Sequence, residues 1–543
     1  MARAVKPKAE KEVTLEQVLW NCRVALRGIG STDNNRDAVI GLFFIKFASD
    51  KFVKMREKII AKYGDNPIFL EKASFYRAEN VFYLEEESRW QYLVDNASAD
   101  DIAVKIDKAM KSIEEKNEPL KGALPSNLYA TLGASKSSIK NLIDEINKVN
   151  AERFHEEDII GRVYEYFLQI YAASGTKDDG EFYTPACIVK LIAELIEPFS
   201  GVVYDPCCGS GGMFVQSLRF VDSHNGNRKN ISIIGQESKL DTWKLCKMNL
   251  AIRGISHDLG SSNASTFTND LHKDKKVDFI MANPPFNLKN WRGEDELTDD
   301  PRFKVEKFDA DGKPNGYVTP PISNANYAWI LHMISKLDVT NGIAGFLLAN
   351  GALNADGDEM EIRKSLIEND KVEAIIILPR DMFYTVDLSA TLWIVNNNKN
   401  ARDLNGRKLR DRRNEVLFID LRQFNENIAT YVLDKNKSKK KTILTDEQIE
   451  QIRKIYHGWQ SADTSEYEDK PELCKSATKE QIRAKGYSLA PSKYIEFIDH
   501  DLEIDYDKEM KRIQTEMQEL IKREQASQQM LIDAFGGIGY GIK

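Results

Sequence analysis

From about residue 155 the chain alternates short apolar runs with helical segments, and no other feature constrains its fold as much. The runs are GVVYD, ISIIGQE, VDFIMAN, IAGFLLAN, VEAIIILP and ATLWIVN. Segments such as SKLDTWKLCKMNLAIRG and NANYAWILHMISKLDVTNG lie between most of them. Strands joined by helical crossovers become parallel neighbours, and a sheet of such strands is covered by helices. The pattern predicts an α/β core, an open and mostly parallel sheet with helices on both faces. Ligands bind such sheets beyond the carboxyl ends of the strands, so chemistry is expected just after each apolar run.

At 543 residues the chain is too long for one core. Residues 1–154 read as an all-helical domain. TLEQVLWNCRVAL opens with Thr14 and Gln17 as a capping box and sets Leu15, Val18, Leu19, Cys22 and Leu26 on one face. A second helical run, RDAVIGLFFIKFASDKFVKMREKIIAKYG, stops at a glycine, and KSSIKNLIDEINKVN closes the region. Residues 155–434 carry the strand rhythm, and 435–543 lose it. There TDEQIEQIRKIYHGW reads as a capped helix. The last long element spaces Met510, Ile513, Met517 and Leu520 as a coiled-coil seam, interrupted at Glu524, which demands a partner.

Hydrophobic residues make up 42% and charged residues 29%, the proportions of a soluble globular protein. No apolar run reaches the length of a membrane span, and the start MARAVKPKAEKEVTLEQ lacks the apolar core of a signal peptide. Six cysteines without paired ligand spacing point to the reducing cytoplasm and to no metal. Cys207 and Cys208 read as small side chains in a tight turn. The net charge is −8, and positive charge is local, in Arg402–Arg413 and in Lys435–Lys441, both read as solvated loops.

Five features follow apolar runs or open a helix. VVYDPCCGSGGMF is a strand ending at Asp205, then a turn whose Gly209, Gly211 and Gly212 permit positive φ and close approach of a ligand. ISIIGQES ends in Glu237, at the distance of an acidic residue that binds ribose hydroxyls, though a plain surface carboxylate has the same signature. Together they favour a nucleoside cofactor, and the absence of a phosphate-loop lysine argues against ATP. Asp270 either accepts from a cofactor adenine amine or caps the following turn. Asn283-Pro284-Pro285-Phe286 places two prolines, which have no N–H, where a strand runs out. They form a rigid extended turn that fixes Asn283 and Phe286 at its ends. Upstream, Thr184 caps a helix begun by Pro185, whose free N–H groups suit a carboxylate such as a methionyl group's.

Glu181-Phe182-Tyr183-Thr184-Pro185, then Asp205-Pro206-Cys207-Cys208-Gly209-Ser210-Gly211-Gly212, then Asn283-Pro284-Pro285-Phe286, resemble the ordered motifs of adenine-N6 DNA methyltransferases. More narrowly, the chain resembles the modification subunit, HsdM, of type I restriction–modification systems, nearly end to end. LFFIKFASDK, NANYAWILHMI and YSLAPSKYIE carry the narrower likeness. The resemblance implies a Rossmann-like, S-adenosylmethionine-dependent methyltransferase core with a helical amino-terminal domain and a helical tail. It implies that Asn283 Oδ1 and the Pro284 carbonyl accept the hydrogens of adenine's amine and that Phe286 stacks on the flipped base. Pro285 stiffens the turn. Glu237 would hold the cofactor ribose, Asp270 its adenine, and the Glu181–Pro185 segment its methionyl end, beside Asp205, Pro206 and the Gly209–Gly212 turn.

The resemblance also implies partners: a DNA specificity subunit, a second modification subunit, a restriction and translocase subunit, and double-stranded DNA. That fits the acidic balance, since a chain gripping DNA alone would carry a basic surplus. Two other readings stay open at this level. One is a methyltransferase acting on glutamine amides or RNA, which uses a related Asn-Pro-Pro-aromatic turn. The other is a methyltransferase fold kept as a non-catalytic assembly scaffold. The polar stretch Leu288–Ser323 is either a loop ordered by DNA or a partner, or a surface insertion.

Overall fold

Ser31 starts the helix Thr32–Tyr63 by accepting the Asn34 N–H at its side chain, and Gly64, at φ 75°, ends it by donating to the Ile60 carbonyl. The computed structural model describes residues 15–149, 163, 166, 184–308, 313–383, 389–434, 437–498 and 506–537. Thr14, expected to cap the first helix, lies outside them. The helix Leu15–Ala25 buries the face read from its periodicity, Leu15, Val18, Leu19 and Cys22, with Leu26 just beyond. Ile102–Lys116 and Lys136–Asn147 bury Ile106, Met110 and Ile113, and Ile139, Leu142, Ile143 and Ile146, at the same three-and-four spacing. These side chains share one core with Leu245, Met248, Ala251 and Ile252 of the helix Leu240–Ile252. The amino-terminal helices therefore buttress a helix that belongs to the sheet, and Lys51 Nζ donates to the Ile252 carbonyl at 3.0 Å.

Among the described residues the main sheet has nine strands. In chain order these are β1 (Gly201–Asp205), β2 (Ile231–Gly235), β3 (His257–Asp258), β4 (Phe279–Ala282), β7 (Ile343–Ala349), β8 (Val372–Ile377), β9 (Ala390–Asn396), β12 (Glu415–Asp420) and β15 (Cys474–Thr478). The intervening numbers belong to three separate two-stranded ribbons: β5 (Val305–Phe308) with β6 (Pro314–Val318), β10 (Arg402–Leu404) with β11 (Arg407–Leu409), and β13 (Ile428–Asp434) with β14 (Lys437–Thr442). The order across the sheet is β15-β12-β8-β9-β7-β4-β1-β2-β3. Most pairs are parallel, as the alternation required. Only β9, between β7 and β8, and the edge strand β15 run against their neighbours.

Successive residues alternate between two cores. Val203, Met281, Leu347, Ile376 and Ile394 face one, which also holds the helices Ala186–Ile196 and Gly212–Ser223. Tyr204, Ile280, Phe346, Ile375 and Val395 face the other, with the helix Asn326–Lys336. A period of two splits each strand between two helical layers. The core of the sheet also takes in elements beyond the boundary expected after residue 434. Ile449, Ile452, Tyr456 and Trp459 of the helix Asp446–Gln460 pack into the first core, and β15 pairs with β12. One unit takes in the chain to Asp469 with Leu473–Ile495; Lys470–Glu472 and Glu496–Lys543 form a second. In that second unit the tail is one helix, Tyr506–Gly537, with Met510, Ile513, Met517 and Leu520 all exposed.

Candidate active site

On one side of β1 the sheet continues through β2 and β3, and on the other through β4 and β7. The strand order reverses at β1, so a crevice opens between the carboxyl ends of β1 and β4. β1 ends at Asp205, where the glycine turn begins, and β4 ends at Ala282, immediately before Asn283. Two motifs 78 positions apart in number thus arrive at one crevice.

The glycine turn is held from several sides. Gly209 has φ 52° and Gly211 φ 83°, the left-handed region that favours glycine. No atom of the described residues outside the turn itself lies within 4 Å of where a Cβ on Gly209 or Gly212 would stand, so among them open space lies over the turn. Gly211 starts the helix Gly212–Ser223. Asn249 Nδ2 donates to the Ser210 carbonyl at 2.7 Å. Asp205 Oδ1 accepts the Cys207 N–H at 3.0 Å. Burial, against that hydrogen bond, pushes the Asp205 carboxyl up to about 7. Cys207 and Cys208 are free thiols, as expected.

Glu237 lies two residues past β2, and its Oε2 accepts the Gly209 N–H at 3.0 Å while Oε1 accepts the Lys239 N–H at 2.9 Å. A carboxylate has about four lone-pair sites, so a sugar hydroxyl arriving over the turn finds capacity there. The carbonyl of Pro206 accepts from Thr266 Oγ1, which ties the turn to the loop after β3.

Asn283 is oriented from across the crevice: its Nδ2 donates to Thr184 Oγ1 at 2.9 Å. Its Oδ1 is buried and has no hydrogen-bond partner among the described residues. Phe286 meets the Phe383 ring edge-on at 6.1 Å between centroids. Behind the motif, Asn287 takes φ 55° and is gripped by Asn326, which accepts the Asn287 N–H at 3.0 Å and returns its own amide to Asn287 Oδ1 at 2.9 Å. The Ala325 N–H donates to the Leu288 carbonyl. The NANYAW segment is the brace of the Asn-Pro-Pro-Phe turn.

Three expected residues, Glu181, Phe182 and Tyr183, lie outside the described residues. Thr184 does not cap the helix as expected: the helix begins at Ala186, Pro185 occupies the position before it with no side-chain bond, and the Thr184 hydroxyl serves Asn283 instead. Asp270 reaches the same end of the sheet, but in the core behind the crevice. Its Oδ2 is 2.5 Å from Lys336 Nζ, with both side chains 3% exposed, and its Oδ1 accepts the His272 N–H. Against burial, the Lys336 ammonium and that N–H hold the Asp270 carboxyl below the ordinary range. Asp270 thus caps the turn that follows it, one of the two roles its sequence allowed, and is ion-paired as well.

Asn249, Thr266, Phe383 and Arg302 carry no signal in the sequence, because each acts on a partner far away in the chain. Arg302 comes from the polar stretch Leu288–Ser323. Its Nη1 donates to the Thr266 carbonyl at 3.0 Å, its Nη2 to the Phe267 carbonyl at 2.6 Å, and Asp300 takes the same guanidinium. Trp291 and Phe303 of that stretch are buried against Phe267. The stretch is anchored to the fold at these points rather than lying loosely over it. Among the described residues no cluster of His, Cys, Asp and Glu suits a metal ion, and no helix is long and apolar enough to cross a membrane.

The N-6 DNA methylase family model matches residues 155–502, and that of the HsdM N-terminal domain matches residues 15–148. The methylase subunit of the type I restriction enzyme HindI from Haemophilus influenzae is 39% identical over 453 residues, covering 81% of this chain and 93% of that one. The MjaIX methylase subunit from Methanocaldococcus jannaschii is 32% identical over 539 residues, covering 97% and 91%. The crystal structure of a type I restriction-modification methyltransferase subunit from Streptococcus thermophilus shares the fold, with a TM-score of 0.67 at 23% identity, over 89% of this chain and 99% of that one.

Proposed function

This chain belongs to the N-6 DNA methylase family, and from that premise we propose that it methylates the N6 amine of adenine in duplex DNA. We assign it the part of modification subunit in a type I restriction–modification complex, as its relatives are named. One observation carries the chemistry: the buried, unpartnered Oδ1 of Asn283, aimed by the Thr184 hydroxyl on the other end of the same amide. A buried acceptor left unpaired costs about 1–3 kcal/mol. An amine hydrogen in the crevice removes that cost.

Adenine's exocyclic nitrogen is a weak nucleophile because its lone pair is delocalised into the ring. With one hydrogen on Asn283 Oδ1 and the other on the Pro284 carbonyl, the nitrogen is held closer to tetrahedral and its lone pair is less delocalised into the ring. Pro285 keeps both acceptors fixed, so little reorganisation remains at the moment of reaction. Phe286, backed by Phe383, presents a surface on which a base turned out of the duplex can stack. S-adenosylmethionine, when bound, supplies an electrophilic methyl on sulfonium. The open space over Gly209 and Gly212, the Glu237 carboxylate beside it, and Asp205, Pro206, Ser210 and Gly211 form its cradle, with Thr184 and Pro185 toward the methionyl end. We extend that end to Glu181, Phe182 and Tyr183 on the motif alone. Asp270 acts there indirectly, by fixing the loop that follows Thr266.

The relatives are subunits by name, so the partners are a DNA specificity subunit, a second copy of this chain, and a restriction and translocase subunit. The test is methyl transfer from radiolabelled S-adenosylmethionine to mixed bacterial DNA, with and without a co-expressed specificity subunit, beside Asn283→Ala. Label in DNA that requires the partner and vanishes in the variant is expected. Tight cofactor binding with no label in DNA under either condition refutes the reading and directs the search to another acceptor.

A further inference from the structure

Residues 402–413 read as a solvated loop from the sequence, and the fold turns several of their arginines inward. The β10–β11 ribbon lies against the helix Asp446–Gln460: the Arg410 N–H donates to the Gln460 carbonyl at 2.9 Å, and the Ala462 N–H to the Lys408 carbonyl at 2.8 Å. Most of the charge there is matched. Arg407 pairs with Glu197, Arg410 with Glu415, Arg412 with Glu373, Arg413 with Asp411 and Lys399 with Asp370. Arg402 has no carboxylate in ion-pair contact among the described residues, and its Nη1 donates to Asn341 Oδ1 at 3.1 Å. Its neighbour Asp403 falls on the opposite, exposed face of β10. Burial, against the attraction of Glu373, holds the Arg402 guanidinium below its ordinary value. One positive charge in the cluster is left unanswered.

The same cluster holds buried polar atoms with no partner among the described residues: Arg402 Nε, Arg407 Nε, Arg412 Nη2 and the Tyr456 hydroxyl. Arg412 and Tyr456 are fully buried. One amide ties the group together. Gln460 Oε1 accepts from Arg407 Nη1 at 3.4 Å, and Gln460 Nε2 donates to Glu373 Oε1 at 3.0 Å, which also takes Arg412 Nε at 3.0 Å. Tyr456 stands one turn earlier on the same helix, within the field of Arg412, Arg407 and Glu373, and Arg402 lies within that of Arg412 and Glu373. The Glu373 oxygens are already taken, one by Arg412 and Gln460 and the other by Asn396. Burial keeps the Tyr456 hydroxyl protonated and able to donate, and the three guanidinium nitrogens can only donate. A water would bring two hydrogens of its own to a group of donors. A monovalent anion brings none and supplies the missing charge.

We propose that Arg402, Arg407, Arg412 and Tyr456 bind a small monovalent anion of the halide class. Glu373 opens β8 and Arg412 precedes β12, so the site lies at the amino-terminal ends of these strands. That is the end of the sheet opposite the crevice, and the anion's part is structural. It fastens the β10–β11 ribbon and the helix Asp446–Gln460 to the sheet by answering the one charge that the fold buries without a carboxylate. A dianion would leave a negative charge buried in its turn, and the burial of Arg412 and Tyr456 admits no large ligand.

The test is thermal melting of the full-length chain in sodium chloride and in sodium gluconate at equal ionic strength, beside Arg402→Gln and Tyr456→Phe. Chloride at about a hundred times its Kd raises the wild-type Tm by about 2–3 °C more than it does that of Arg402→Gln. Tyr456→Phe keeps the ring, loses the hydroxyl and shows a smaller rise. In gluconate Arg402→Gln melts no lower than wild type, because it removes an unanswered charge. A chloride effect of equal size in wild type and either variant is a bulk salt effect and overturns the proposal. A lower Tm for Arg402→Gln in gluconate also overturns it, since the charge would then be answered within the chain. Crystals of the wild-type chain soaked in sodium bromide give a direct reading, and an anomalous peak among Arg402, Arg407 and Arg412 is expected. Such a peak without the melting difference marks an adventitious ion only, and no peak leaves the donors to water; either result overturns the proposal.

Discussion

Thr184 holds one end of the Asn283 amide at 2.9 Å, and the other end, Oδ1, is buried with no partner among the described residues. The two residues are 99 positions apart, and their contact turns a rigid turn into an aimed acceptor. Asn283→Ala is expected to lower methyl transfer about 10³-fold, the scale of removing one preorganised hydrogen-bonding group, with cofactor affinity nearly unchanged. Thr184→Val releases the amide to rotate, and the loss is smaller, about tenfold. In the Asn283→Ala background Thr184→Val adds nothing, and a double-mutant cycle of transfer rates checks this.

Arg302 joins the loop carrying Thr266 and Phe267 to the polar stretch after the catalytic motif, while Thr266 holds the Pro206 carbonyl of the glycine turn. Arg302→Met strands two carbonyls and the Asp300 carboxylate. We expect a rise in KM for S-adenosylmethionine that exceeds any fall in kcat, because the cofactor side of the crevice is what loosens. Arg302→Lys restores little, since an ammonium cannot span both carbonyls as a planar fork does. Steady-state kinetics that separate KM from kcat decide the matter.

His332 is fully buried, where its Nδ1 faces Arg302 Nη1 at 3.2 Å and its Nε2 faces the Tyr204 hydroxyl at 3.1 Å. Burial first, then Arg302 and Lys336 against Asp270, push its pKa from 6.5 down to about 3. Between those values the unfolded chain binds a proton that the folded chain does not, so stability falls as pH drops from about 6.5 toward 3. His332→Gln removes that term. The stability gap between wild type and His332→Gln should therefore narrow on acidification from pH ~7 to ~4, as read by thermal melts in matched buffers. A gap that stays constant would show that His332 takes up its proton alike in the folded and unfolded chain.

Arg412 and Glu373 form an ion pair with both side chains fully buried, and Glu373 also accepts from Asn396 and Gln460. Arg412→Met leaves a carboxylate uncompensated and should cost about 3–5 kcal/mol. Replacing both, Arg412→Met with Glu373→Met, should cost less than Arg412→Met alone, because no charge is left stranded. Urea unfolding of the three chains measures the difference.

The tail helix Tyr506–Gly537 exposes Met510, Ile513, Met517 and Leu520 at 46, 38, 56 and 61%. An apolar seam left open in water is destabilising until a partner helix covers it. Removing the chain from Asp505 onward should abolish assembly with the specificity subunit while leaving S-adenosylmethionine binding intact. Co-purification of the shortened chain with that subunit would sink the assignment.

All six apolar runs became strands of one sheet, and the buried faces of the amino-terminal helices followed their three-and-four spacing, because burial periodicity is written locally. The glycine turn and the Asn-Pro-Pro-Phe turn were legible for the same reason: glycine and proline dictate backbone geometry wherever they stand. β15 is an antiparallel edge strand joined to β12 across more than fifty residues, and no local pattern announces such a pairing.

Thr184 looked like a helix cap because its local neighbours allow that role, and only the approach of β4 gave its hydroxyl to Asn283. Asp270 stayed open between a cofactor contact and a turn cap, because the sequence does not show that Lys336 folds back to it. The sequence by itself determined the sheet, its helical cover and the chemistry of each turn, since these depend on residues a few positions apart. The tertiary structure decided which side chains meet at the crevice and which charges are consumed within the fold. Partners hundreds of positions apart are set by the packing of whole layers, and no stretch of sequence encodes that alone.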